Sequence, residues 1–183
     1  TLCTDNLRSN QNIIRPQKHF DTVLYTGDEA TSRKISGLEF QPDLVWIKPR
    51  STTSNHCLLD SVRGVHNRIL PNSSGANVYN TSTITAFNVD GFQIGNSSLL
   101  NTDGATHVAW CWKAGGDSNT FNVDDVGYAS ASAAGITDGS IALTAASVNR
   151  EAGFSIVTYT GTGSSGTVGH GFTKTPKVVM TKS

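Results

Sequence analysis

Sliding the sequence along itself by 134 residues, so that Phe154 falls on Phe20, brings turn and strand residues into register. This self-similarity limits the folds open to the chain more than any other feature. Phe20-x-x-x-x-Tyr25-Thr26-Gly27 meets Phe154-x-x-x-x-Tyr159-Thr160-Gly161. Gly37-Leu38 meets Gly171-Phe172, Pro42 meets Pro176, Leu44-Val45 meets Val178-Val179, Trp46 meets Met180 and Lys48 meets Lys182. The match keeps a turn glycine, a proline that sets a strand start and an apolar alternation, so it is physically coherent. It implies one whole repeat, residues 19–113, and the opening strands of a second, residues 153–183. Residues 114–152, rich in Gly, Ser and Asp, are then an inter-repeat connection, expected to be partly irregular. Neither end reads as a natural terminus and no secretory leader pattern is present, so the sequence is expected to be a segment of a longer polypeptide.

The local periodicity is that of β-strands. Residues 20–26 (FDTVLYT) alternate and are rich in aromatic and β-branched types. Residues 43–48 form a compact apolar run behind Pro42, and 55–60, 83–88, 92–94, 154–160 and 176–181 read as further strands, with 140–147 a weak one. Asp90-Gly91 reads as a turn in which glycine supplies a positive φ. In residues 107–113 (HVAWCWK), Val108, Trp110 and Trp112 share one face, and Ala109 and Cys111 the other. No helical pattern of convincing length is present; the Ala-rich residues 129–134 are interrupted by serine and ended by Gly135.

Composition agrees and excludes several classes. Charged residues are 15% of the chain, against about 25% in an ordinary soluble domain. Lys plus Arg is 14 and Asp plus Glu is 14, so there is no cationic surplus to neutralise phosphates, and no nucleic-acid partner is expected. No apolar run approaches the roughly 20 residues of a membrane-spanning helix.

Few motifs point to chemistry. Cys3, Cys57 and Cys111 are odd in number and far apart, so they are expected to be buried free thiols rather than zinc ligands. Gly161-x-Gly163-x-x-Gly166 matches a dinucleotide fingerprint in form. The next residues, Thr167-Val168-Gly169-His170-Gly171, cannot open the helix that such a fingerprint needs, so a hairpin turn is expected. Asp60, Arg63, His66 and Arg68 cluster; Asp60 with His66 would make an acid–base pair, but a strand-to-loop corner with Asp60 accepting from Arg63 is the plainer reading. Asp103 with Asp124 and Asp125 offers carboxylates to Ca²⁺ without a twelve-residue loop pattern. Asn72, Asn80 and Asn96 open Asn-x-Ser/Thr sequons, a frequent pattern in a Ser/Thr-rich chain. Trp46, Trp110 and Trp112 suit a core; Trp110 and Trp112 are also the candidates for stacking on a glycan. No catalytic residue, cofactor-binding residue or metal ligand is assigned.

Taken together, KHFDTVLYTGD, the GLEFQPDLVWIK run, the LLDSVRG corner, Asp90-Gly91-Phe92 and VAWCWKAGG resemble a repeat domain of structural proteins of tailed bacteriophages, especially phages of marine cyanobacteria. Residues 138–183 look like the stretch that starts the next copy, and TLCTDNL looks like the end of an upstream lectin-like domain, making residues 1–18 a connector. Residues 120–135 match weakly and look like an insertion. The resemblance implies an antiparallel β-sandwich repeat of jelly-roll or lectin-like type. It implies a non-enzymatic virion protein, in a tail fibre, spike or appendage acting in assembly and host adhesion. Its partners would be other virion proteins and copies of itself, with trimers usual, and a host surface glycan. The alternatives are a carbohydrate-binding module and a capsid decoration protein.

Overall fold

The computed structural model describes Ile13 and residues 15–182, and Cys3 lies outside the described residues. The chain is all-β. After a 3-10 turn at Pro16–Lys18 come β1 (Phe20–Thr26), β2 (Arg33–Ser36), β3 (Leu44–Pro49), β4 (Cys57–Asp60), β5 (Asn67–Ile69), β6 (Val78–Tyr79), β7 (Ile84–Asn88), β8 (Gly91–Ile94) and β9 (Thr106–Trp112). The remaining strands are β10 (Phe121–Val123), β11 (Val126–Tyr128), β12 (Leu143–Asn149) and β13 (Phe154–Tyr159). They form an antiparallel six-stranded sheet β1-β9-β3-β4-β5-β6 and an antiparallel three-stranded sheet β2-β8-β7. A four-stranded sheet, β11-β10-β12-β13, is antiparallel except for the parallel pair β10–β12.

The first two sheets share one apolar cluster. Ile35, Ile84, Phe92 and Ile94 come from the three-stranded sheet, and Val45, Ile47, Cys57, Leu59, Ala109 and Cys111 from the six-stranded one. The alternation of β9 therefore falls opposite to the expectation for its tryptophans. Its small residues Ala109 and Cys111 point inward, while Trp110 and Trp112 lie half-buried on the outer face, as does Trp46 of β3. Size decides the choice. Three isoleucines and Phe92 already fill the facing layer, and a close-packed interior there takes small partners.

Cys57 and Cys111 are free and buried, as expected. Each faces a residue of β3, Ile47 for Cys57 and Val45 for Cys111, so a whole strand separates the two thiols. Burial pushes the Cys57 thiol up to about 12 and that of Cys111 up as well. In a Cys3→Ser chain neither thiol is expected to react with Ellman's reagent at pH 8 in the native state, and both are expected to react in guanidinium; fast labelling without denaturant would contradict this packing.

Residues 114–152 depart most from expectation. Rather than a partly irregular connection, they supply β10, β11 and β12, and Phe121, Val123, Ala134, Ile136, Ala146 and Val148 form a second buried cluster. The Ala-rich stretch contributes one turn, closed by Ala134 N–H to Ser130 O at 3.1 Å. The glycines of residues 161–166 lie in a loop, not a hairpin: it ends in a parallel bridge between Ile141 and Val168, and it opens no helix. Residues 176–181, expected to be a strand, carry none.

Candidate functional site

The outer face of the six-stranded sheet carries the densest group of surface aromatics. The register aligns Phe20, Trp112 and Leu44 in one row, Thr22, Trp110, Trp46 and Leu58 in the next, and Leu24, Val108 and Lys48 in a third. Trp112 packs against Phe20 with ring centroids 5.0 Å apart and stacks on Phe154 at 6.0 Å. Trp46 and Trp110 meet edge to face at 6.0 Å. The indole Nε1–H of Trp46 donates to His56 Nδ1 at 2.9 Å, which fixes the Trp46 ring and keeps that imidazole nitrogen an acceptor. Burial, and then the nearby Lys48 charge, lower the His56 pKa. Leu24 extends the apolar row and is 61% exposed. These partly exposed aromatics, neighbours within a row standing about one strand spacing apart, offer apolar surface with a polar rim of Thr22, Lys48 and His56.

Beside this face, one end of the six-stranded sheet joins the four-stranded sheet through a buried carboxylate. Asp43 is fully buried. Its Oδ2 accepts from Ala114 N–H at 2.7 Å and Gly116 N–H at 3.2 Å, and its Oδ1 from the Ser61 hydroxyl at 2.8 Å. Burial raises its pKa to about 6 against these donors, which pull the other way. The connection leaving β9 is thus held to the start of β3 and the end of β4 by one side chain. Next to it lies a polar cleft of about 350 Å³ lined by His19, Lys113, Ala114, Asp124, Asp125, Asn149 and Glu151. His19 Nε2 stands 3.8 Å from Glu151, and Lys113 pairs with Asp125 at 2.5 Å. Asp124 accepts the Arg150 backbone N–H at 2.8 Å.

The other sequence candidates separate. Asp60 is spent on Arg63, accepting its backbone N–H at 2.8 Å and its Nε and Nη2 at 2.6 Å each, the corner the sequence suggests. His66 sits at φ 72° with its ring edge-on to Tyr79 and does not join Asp60. Asp103 precedes the start of β9 while Asp125 binds Lys113 just past its end, so the full length of the strand keeps Asp103 apart from Asp124 and Asp125. Asp124 and Asp125 form the tight β10–β11 turn at φ 51° and 67°. Among the described residues no group of three or more His, Cys, Asp or Glu is placed to hold a metal ion, and no helix is long and apolar enough to cross a membrane. Sequence reasoning missed Asp43; its position behind Pro42 in a run that must be buried was the available signal.

A family described as Domain of unknown function (DUF7483) matches residues 15–183. No curated protein and no solved structure matches the chain.

Proposed function

The chain belongs to the DUF7483 family, and we propose that it is a non-enzymatic structural protein of a virion, a segment of a tail fibre, spike or related appendage acting in assembly and host adhesion. We read the six- and three-stranded sheets as a sandwich of the lectin-like or jelly-roll kind, and residues 153–183 as the start of a second copy. The observation that carries the reading is the outward aromatic face of β1, β9 and β3, set on a rigid sheet beside residues that repeat its pattern. Such a surface is fitted to contact rather than to reaction. Association as a trimer would cover the open sheet edges that otherwise invite uncontrolled pairing. A map of the particle tests the reading. A few copies around the tail axis support it; many copies spread over the shell indicate a decoration protein; absence from the particle overturns it.

The same face favours a second reading, a carbohydrate-binding module for host polysaccharide, because Trp110 lies partly exposed on it, whereas the ring of Trp112 is already stacked on Phe154. Trp110→Ala is expected to weaken polysaccharide pull-down about two- to tenfold, from the roughly 0.5–1.5 kcal/mol that an aromatic stack adds beyond burial, while circular dichroism stays native. Equal binding by a folded Trp110→Ala and a folded Trp112→Ala would remove this reading.

A further inference from the structure

We propose that the outer face of the six-stranded sheet takes a sugar ring bearing a carboxylate, the ring against Trp46 and Trp110 and the carboxylate at Lys48. This rests on the carbohydrate reading of the same face and gives its ligand a class. Trp46 and Lys48 are two residues apart on β3 and share the outer side, while Ile47 between them is 0% exposed in the core. Two residues of strand span roughly 7 Å, so one pyranose can touch both side chains. Trp46 is held in place twice, by the edge of Trp110 at 6.0 Å and by the bond from its Nε1–H to His56. A ring fixed in this way loses little freedom when a ligand settles on it.

The charge beside the indoles selects the ligand. The Lys48 ammonium donates to the carbonyl oxygens of Pro49 at 2.6 Å and Thr52 at 3.2 Å. Two carbonyls fix its position without neutralising it, and its third N–H is left over. The ion pairs among the described residues do not include Lys48. Asp60 shares the face, in the row of Leu44, but is tied to Arg63 at 2.6 Å. Asp21 belongs to the opposite side, in the row of Cys111 and Val45. His56 adds a second donor: its Nδ1 accepts from Trp46, so the neutral ring carries its proton on Nε2. Burial and then the Lys48 charge lower the pKa of this imidazole, which places ammonium, imidazole and indole in one neighbourhood. A carboxylate accepts from both donors and supplies the missing counter-charge, and such charge-assisted bonds are stronger than those of a sugar hydroxyl. The chain as a whole has a formal charge of zero, so general attraction to polyanions is weak and an acid preference reports this local charge.

The test is binding of the whole chain to polygalacturonate, polymannuronate and hyaluronate, each beside its methyl ester, in which the same ring has lost its charge. At least one acid form is expected to bind about fivefold or more tighter than its ester. That preference is expected to shrink as salt rises from about 0.05 M to about 0.5 M. Lys48→Gln keeps a donor for the Pro49 and Thr52 carbonyls; it is expected to retain a native circular dichroism spectrum and to bring acid binding down to that of the ester. Lys48→Arg is expected to keep the preference. Trp110→Ala is expected to weaken acid and ester alike, because stacking does not sense the charge. Equal binding of acid and ester, both weakened by Trp110→Ala, would overturn the proposal and leave the carbohydrate reading standing. An acid preference that survives Lys48→Gln would overturn the role of Lys48, and no binding of either form of any of these polysaccharides would overturn both readings.

Discussion

Asp43→Ala is expected to destabilise the chain by about 3–5 kcal/mol in urea unfolding. Three donors converge on this carboxylate from two separate segments. The buried amide of Ala114 would be left unpaired, at about 1–3 kcal/mol, and the partly buried Gly116 amide and the Ser61 hydroxyl would lose their acceptor as well. The loss is also topological: the two amides belong to the chain leaving β9 for the four-stranded sheet, so that sheet loses one of its ties to the first unit, beside the Trp112–Phe154 stack and the Lys113–Asp125 pair. Asp43→Asn separates hydrogen bonding from charge. Its carbonyl oxygen can accept both amides and its NH₂ can donate to Ser61 Oγ, so it is expected to keep most of the stability. The pH dependence carries the sign. An aspartate in the unfolded chain titrates near 3.9, and folded Asp43 near 6. Between these values the folded state holds a proton that the unfolded state has lost. Stability therefore falls as pH rises from about 4 to about 6 and then levels, by about 3 kcal/mol for a shift of about two units. Asp43→Asn should lack this slope. A parent and an Asn variant with parallel pH profiles would show that Asp43 is not the titrating group.

Gly91→Ala is expected to cost about 3 kcal/mol or more, by a different route. Gly91 is not in the turn, as the Asp90-Gly91 dipeptide suggests; Val89 and Asp90 make the β7–β8 turn and Gly91 opens β8, paired with Ser36 on one side and Asn88 on the other. A methyl group on its Cα would lie 2.0 Å from the carbonyl oxygen of Ile35 and 3.0 Å from Ser36 Cα, and its φ of 154° disfavours a side chain. Both neighbours are backbone, so relief requires β2 to move away from β8 and to break the pairing that seats Ile35, Phe92 and Ile94 in the core. Strain and lost pairing add where each alone would cost about 1–3 kcal/mol. The measurement is the urea midpoint and slope; a Gly91→Ala chain within about 0.5 kcal/mol of the parent, the range of an ordinary surface change, would show that the β2–β8 contact yields freely.

These sites also show how far the sequence could be read. β1, β3, β9 and β13 were legible because long, strongly alternating runs carry their own signal, and the all-β class came with them. β2, β5, β6, β10 and β11 were not, because two to four residues such as Arg33–Ser36 or Val78–Tyr79 hold strand geometry only through their neighbours. The face assignment of β9 failed for a related reason. Period-2 alternation says which residues share a side, but the volume of the opposite layer, here Phe92 and three isoleucines, decides which side is inward. Residues 114–152 looked loose because Gly, Ser and Asp are frequent there; their order comes from a few well-spaced apolar residues, Phe121, Val123, Ala146 and Val148. The pairing of Asp60 with Arg63 was legible since three residues separate them. Asp43 with Gly116 was not, since only the folded chain brings them together.

The register of β1 on β9 has a consequence in time. Phe20 pairs with Trp112, so the first strand of the repeat emerges long before its partner. At ribosomal rates of about 5–20 residues per second, β1 waits roughly 5–20 s, with Leu24 and Phe20 uncovered and its edge free. Where a second strand of the same pattern, β13, is made in the same chain, either can capture the first β9 to appear, and neighbouring chains on a polysome can do the same. Speed of synthesis and spacing between nascent chains therefore become determinants of correct pairing. A slowly translated stretch after Trp112, giving β9 time to close on β1 before β13 is released, would raise the yield of correctly paired protein.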